Sequence, residues 1–556
     1  MSHELFERHR DTLERAVAAT RSREYFSAFD ESPSPRVYGE EAAPAGKSAF
    51  EALLGSAFPV TTPGAAGTVA TEKSPFGFDL HVTYPRMTES GVGELLSAAR
   101  AGMKGWRDAG PEARVGVCLE ILHRLHGRIF ELANAVQHTS GQAFVMAFQA
   151  GGAHALDRAL ESIAYAHEEM TRVPATAVWE KPGKGEPLRM EKTFTVVPRG
   201  VALVIGCNTF PTWNSWPGLF ASLVCGNPVV VKPHPGAVLP LAITVQVARE
   251  VLAETGFDPN LVTLAAEDPA DRLAAVLAVR PEVRLIDFTG SNAFGDWLEE
   301  NARQAEVFTE KAGVNTVVVD ATDSFRGLCM NLAFSFSLYT GQMCTAPQNI
   351  YLPASGIETD EGHKSVADVA AGIEAALGKL LGDDARAVEL LGGVVNEGVL
   401  SRLSSVGERG EVLIPSREVR HPAFEGAVVR TPTMVGLTSK DADVYETECF
   451  GPVSYLIGTA GTDESIDLFR RTVTEHGAMT ASVYSTSPEV IASMREAALD
   501  AGVALSENLT GQVFVNQSAA FSDFHGTGAN PAANAAFTDT AYVASRFRIV
   551  QSRRHI

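Results

Sequence analysis

A chain of 556 residues is too long for one small core and should divide into two or three domains. Its formal charge of −21 argues against nucleic acid and anionic membrane surfaces, and its 45 % apolar and 20 % charged residues against bulk disorder. A small-molecule partner fits this composition better.

The first residues, MSHELFERHRDTLERAV, are charged and lack an apolar signal core. No apolar run reaches the ~18–20 residues that span a bilayer, so a cytoplasmic protein is expected. Residues 1–85 read as an N-terminal extension. Leu5, Phe6, His9, Leu13 and Val17 have weak helical spacing, and residues 32–46 and 59–67, rich in Pro, Gly, Ser and Ala, read as loops. Leu122, Leu125, Ile129, Leu132 and Val136 alternate steps of three and four, which predicts one buried helix face. EKTFTVV (191–197) alternates like a strand.

Strand–helix units follow. VALVIG (201–206) and PVVVK (228–232) predict strands, a helix is expected over 242–255 with Gly256 closing it, and VRLIDF (283–288) and NTVVVD (315–320) predict further strands. Strands alternating with helices imply an open α/β fold with a parallel sheet. A second α/β region runs from about 321 to 512, and residues 545–550 read as a late strand.

Two features suggest chemistry. Phe288-Thr289-Gly290-Ser291 follows a strand and opens a helix, where backbone N–H groups hold phosphate. No G-x-G-x-x-G accompanies it. Thr340-Gly341-Gln342-Met343-Cys344 places one of six cysteines in a Gly-containing turn. The six are scattered without a C-x-x-C spacing, so a disulfide framework or zinc module is not expected, and five read as buried filler. His123 and His126 are spaced for a helical metal pair, but no third ligand is evident and no metal is expected.

Segments spread over 97–547 resemble the aldehyde dehydrogenase superfamily in one consistent order: RGVALVIGCNTFP, GNPVVVKP, FTGSNAFG, FTEKAG, GQMCTAP, TECFGPV and MTASVYS. The resemblance implies a Rossmann-type open parallel sheet domain (86–310), a second α/β catalytic domain (311–512) and a C-terminal return (513–556). It also implies a small β oligomerisation element built from a projecting hairpin (176–198) and the tail, hence a homodimer or higher homo-oligomer.

Carried over position by position, Cys344 is the nucleophile and Glu310, 34 residues earlier, the general base for thioester hydrolysis to a carboxylic acid. Asn208 is the oxyanion donor, with Asn214 as the fallback because the turn is one residue longer than usual. Lys232 reaches the adenosine ribose, Gly290 and Ser291 hold pyrophosphate, and Glu448 holds the nicotinamide ribose with Phe450 beside it. The chain reads Lys232-Pro233-His234-Pro235, without the acid that NAD-preferring members place three residues after the lysine. That departure favours NADP slightly over NAD, with His234 as an added donor. Phe210, Trp213, Trp216, Phe521, Phe524 and His525 are the expected substrate residues. The aromatic, His-containing 521–530 segment is similar to the phenylacetic acid degradation branch, which implies an aldehyde from aromatic acid breakdown, a CoA-linked semialdehyde being one form of it. The rival reading is a cofactor-independent thiol hydrolase, which leaves Lys232, Ser291 and Glu448 without a purpose.

Overall fold

The computed structural model describes residues 2–556 and contains two parallel sheets. The first has five strands, β1 (Val201–Ile205), β2 (Val229–Lys232), β3 (Val262–Leu264), β4 (Val283–Gly290) and β5 (Glu306–Lys311), in the order β5-β4-β1-β2-β3. All its pairings are parallel. β1, β2 and β3 are buried along their whole length, which explains their unbroken apolar runs. Helices α1 (Pro211–Val224), α2 (Leu239–Glu254) and α3 (Asn292–Asn301) connect or flank these strands.

The second sheet has seven strands. Thr316–Val319, Asn349–Pro353, Thr433–Thr438, Val453–Thr459, Ala481–Tyr484 and Leu505–Glu507 pair in parallel, and the edge strand Glu411–Ile414 runs antiparallel. Helix α4 (Phe325–Ser337) packs on this sheet's core and delivers the chain to the turn that carries Cys344. The α/β reading of the sequence is therefore correct.

The hairpin Thr176–Lys181 and Leu188–Pro198 adds the tail strand Phe547–His555 to make a three-stranded antiparallel sheet. Its Val178, Leu188 and Val550 are exposed. A buried ion pair holds the tail's root to the first sheet: Arg546 donates to both oxygens of Asp287 on β4, at 2.6 and 2.8 Å, and Tyr542 Oη adds a third bond at 2.7 Å. Gly218 on α1 makes room for this pair, because a Cβ there would come within 2.4 Å of the Asp287 carboxyl carbon. Removing one partner of such a pair strands a buried charge, a loss of roughly 3–5 kcal/mol.

Two local expectations change. Residues 32–46 are not all loop: Pro35–Tyr38 is helical, started by Ser34 accepting from the Arg36 N–H with Pro35 in the first turn, and Ala42–Leu53 follows. The apolar face from Leu122 to Val136 is buried as expected but spans two helices, Gly110–Gly127 and Ile129–Ser140, broken at Arg128. Among the described residues, no helix is long and apolar enough to cross a membrane.

Candidate active site

The turn before Cys344 is shaped by backbone conformation. Tyr339, Thr340 and Gly341 all lie in the left-handed region, at φ of 53°, 56° and 64°. Two of the three are not glycine, and each such residue costs on the order of 1–3 kcal/mol, so the surroundings must hold it. Tyr339 Oη donates to Ser140 O, Thr340 Oγ1 donates to Gly392 O at 2.8 Å, and Gln342 Nε2 donates to Gly393 O at 3.0 Å. Gly341 also requires glycine for space: a Cβ would approach Gly451 O to 2.7 Å. Beyond the turn, Asn315 Nδ2 donates to Cys344 O at 2.7 Å and to Ala346 O at 2.9 Å, which fixes the backbone on the far side of the sulfur.

Glu310 lies on β5 and is fully buried. Asn214 Nδ2 donates to its Oε2 at 2.9 Å, and His525 Nε2 donates to its Oε1 at 3.1 Å. The same His525 nitrogen is 4.0 Å from Cys344 Sγ. Burial by itself would raise the Glu310 carboxyl. Attraction to His525, with hydrogen bonds from His525, Cys344 and Asn214, reverses that and holds it below the usual carboxylate range. Burial first, and then Glu310, push the Cys344 thiol well above an ordinary cysteine. At neutral pH the pair is thus a thiol beside a carboxylate ready to take its proton. The other five cysteines are buried, as the sequence suggested, and only Cys344 is partly open.

Cys344, Asn214 and His525 face a cavity of about 600 Å³. Phe210 and Trp213 line it as expected, and Trp213 packs edge-on against His525 with ring centroids 4.4 Å apart. Three expected substrate residues do not line it. Trp216 is fully buried in the core, where it donates to Thr244 Oγ1 at 3.0 Å. Phe521 packs into the core against Phe26, and Phe524 points outward under the Arg23 guanidinium.

The oxyanion assignment also shifts. Asn208 donates to Thr139 O at 3.3 Å, and its Oδ1 fills the place where a Cβ on Gly236 would sit, so its amide is committed away from the thiol. Asn214, further along in the first turns of α1, is the amide at the cluster.

The sequence did not signal that the extension reaches this cavity. Tyr25, Phe26, Ser27 and Glu31 line it, beside an irregular π-type turn at Gln149–Ala153. Ser27 Oγ and the Ala28 N–H bond Asp157 at 2.6 and 2.9 Å, and burial raises the Asp157 carboxyl to about 7.

The residues expected to hold a dinucleotide lie outside the lining of this cavity. Ser291 sits at the N-cap of α3, makes no capping bond and is exposed, leaving the helix N-terminus free for an anion. A side chain on Gly290 would strike the Phe288 ring at 2.7 Å, so backbone alone borders that site. Lys232, at the end of β2, is buried and ion-paired with Glu267, whose other oxygen accepts from the Leu273 N–H. No acid follows Lys232 closely in sequence, but Glu267 meets it in space. His234 is exposed, and its Nδ1 accepts from Gly236 N at 3.0 Å. Glu448 is partly buried, and burial raises its carboxyl to about 7, opposed by Arg402, which donates to Phe450 O at 2.8 Å.

A buried thiol–carboxylate–amide cluster beside a cavity, together with an open helix terminus on the five-stranded parallel sheet, belongs to a recognisable class. Residues 63–528 match the Aldehyde dehydrogenase family, and the chain is a member of it, an aldehyde-group oxidoreductase using NAD(P). Among solved structures it is similar to an NAD-dependent aldehyde dehydrogenase from Burkholderia multivorans, at 56 % identity and a TM-score of 0.98 over all of both chains. Curated relatives are more distant. A 1-pyrroline-5-carboxylate dehydrogenase of Bacillus licheniformis is 23 % identical, over 78 % of this chain and 80 % of its own. A 3,4-dehydroadipyl-CoA semialdehyde dehydrogenase of Aromatoleum evansii is 26 % identical, over 52 % of this chain and 57 % of its own.

Proposed function

We propose that the chain oxidises an apolar aldehyde to its carboxylic acid through a thioester on Cys344. The observation that carries this is the contact set joining Cys344, Glu310, Asn214 and His525 at the floor of the cavity. Glu310 takes the Cys344 proton as sulfur bonds to the aldehyde carbon, so thiolate forms only at the moment of attack. The oxyanion meets the Asn214 amide and the Cys344 backbone N–H. NAD, which Lys232, Ser291 and Glu448 would hold, would supply the hydride acceptor for thioester formation. Glu310, once it has released the Cys344 proton to bulk water, deprotonates the water that frees the acid, while His525 and Asn214 hold its side chain in place.

In this reading Lys232 and Ser291 hold the adenosine and pyrophosphate end, and Glu448 the nicotinamide ribose. With Lys232 at the adenosine ribose, the Glu267 carboxylate paired to it disfavours a 2′-phosphate, and the reading favours NAD over NADP. The Burkholderia multivorans neighbour, described as NAD-dependent, agrees. The cavity lining carries Glu31, Asp157, Glu389 and Asp523 and, among the described residues, no Lys or Arg. An apolar, ring-sized aldehyde suits such walls better than a carboxylate- or phosphate-bearing one. The exposed apolar positions of the hairpin and tail sheet are the natural subunit contact, giving a homodimer or larger.

The test is a panel of aliphatic, aromatic and CoA-linked aldehydes assayed for kcat/KM with both cofactors. Uncharged aromatic aldehydes with NAD should lead. Acid formation without cofactor reduction would move the reading to a thiol hydrolase, and a CoA-linked substrate in first place would overturn the substrate class.

A further inference from the structure

Glu310, Cys344 and His525 present a carboxylate oxygen, a sulfur and an imidazole nitrogen that all lie within 4.8 Å of one another. We propose that these three side chains form a binding site for a thiophilic divalent cation of the zinc class, whose occupancy holds the enzyme inactive.

Sulfur, imidazole nitrogen and carboxylate oxygen are the donor types zinc selects, and three protein ligands plus one open position is a familiar zinc arrangement. Tetrahedral ligands at ~2.0–2.3 Å from a metal stand roughly 3.2–3.8 Å apart. The two separations here, 3.1 Å from His525 to Glu310 and 4.0 Å from His525 to Cys344, bracket that range, so capture needs only small side-chain adjustments.

The three donors are held independently. Glu310 belongs to the edge strand β5, Cys344 to the left-handed turn, and His525 to a segment paired with Phe537 and braced by Trp213. Glu310 and His525 are buried and Cys344 is partly so, while the cavity leaves the fourth position accessible to water. The charges also balance: a dication with one thiolate and one carboxylate is neutral, which suits a buried site. Binding displaces the Cys344 proton to solvent, shifts the His525 proton from Nε2 to solvent or to Nδ1, and forms metal–sulfur and metal–nitrogen bonds, with no redox change. The bound sulfur is then unable to attack an aldehyde.

Only the inhibitory consequence rests on the dehydrogenase reading; metal capture does not. Full-length protein purified in chelator would be titrated with Zn²⁺ against a chromophoric chelator and, separately, with Co²⁺ to read thiolate-to-cobalt absorption. NAD-dependent turnover would be followed in parallel. The expected result is one equivalent bound, a thiolate–cobalt band, and turnover lost with Zn²⁺ and restored by EDTA. His525→Gln should weaken binding by at least the roughly 10–100-fold typical of losing even an outer-shell partner. Cys344→Ser should lose the band.

No stoichiometric binding or no band in the wild type overturns the proposal without any variant. So does a band that survives Cys344→Ser, which would place the metal on another cysteine, or undiminished affinity in His525→Gln. Binding with unimpaired turnover overturns the inhibitory role. A metal-free protein that binds the cation yet oxidises no aldehyde would instead count against the dehydrogenase reading, with capture intact.

Discussion

The Cys344 cluster and the Ser291–Lys232 region are built on different principles. Around Cys344 the reacting groups are tied to the protein: the turn is pinned by Tyr339, Thr340 and Gln342, and Glu310 accepts from both Asn214 and His525. In the dinucleotide region, Ser291 makes no cap bond and the helix terminus stands open, with Lys232 and Glu267 as the fixed feature. The reacting cluster is preorganised because a strained turn and a buried carboxylate survive only when fully tied down. The binding region keeps its donors free because the ligand is to satisfy them.

Substitutions in the two regions should therefore fail differently. Glu310→Gln leaves the thiol without a proton acceptor and the thioester without a base, and kcat should fall by roughly 10²–10⁴. If turnover survived, the proton would have another destination. Asn214→Ala should reduce kcat/KM by roughly 10²–10³ through loss of an oxyanion donor. Asn208→Ala should leave it almost unchanged, and the reverse ranking would restore Asn208 to the site. Glu267→Gln acts on the other region: kcat with NAD should hold, while the NADP-to-NAD ratio of dissociation constants, read by fluorescence titration, should shift toward NADP by about tenfold, ~1.4 kcal/mol. An unchanged ratio would remove Glu267 from cofactor selection.

The smallest effect concerns pH. Asp157 stands near 3.8 when unfolded and near 7 when buried, so between those values the folded chain holds a proton the unfolded chain has released. Its contribution is full below the lower value and is lost as pH rises through about 7, by at most ~1.4 kcal/mol for each step of one in pH. The melting temperature should fall between pH 5 and 8, less steeply in Asp157→Asn. Equal slopes would show that Asp157 does not carry this proton.

The central strands were legible because β1 and β2 are buried on both faces and read as apolar runs, and Cys344 and Glu310 were legible through motif and spacing. The failures share a cause. Periodicity does not show that the chain breaks at Arg128, nor that α1 turns Asn208 away and brings Asn214 in. Glu267 meets Lys232, and residues 25–31 meet the cavity, only through tertiary contacts that leave no local pattern. His525 was found as a substrate residue, but its bond to Glu310 required the fold.

The most direct measurement is mass spectrometry of the wild-type chain, acid-quenched within the first turnover after mixing with an aromatic aldehyde and NAD. A single acyl adduct on the peptide carrying Cys344, formed only with the cofactor present, is the predicted result. An adduct on another cysteine such as Cys207, or none at all while reduced cofactor accumulates, would contradict the account.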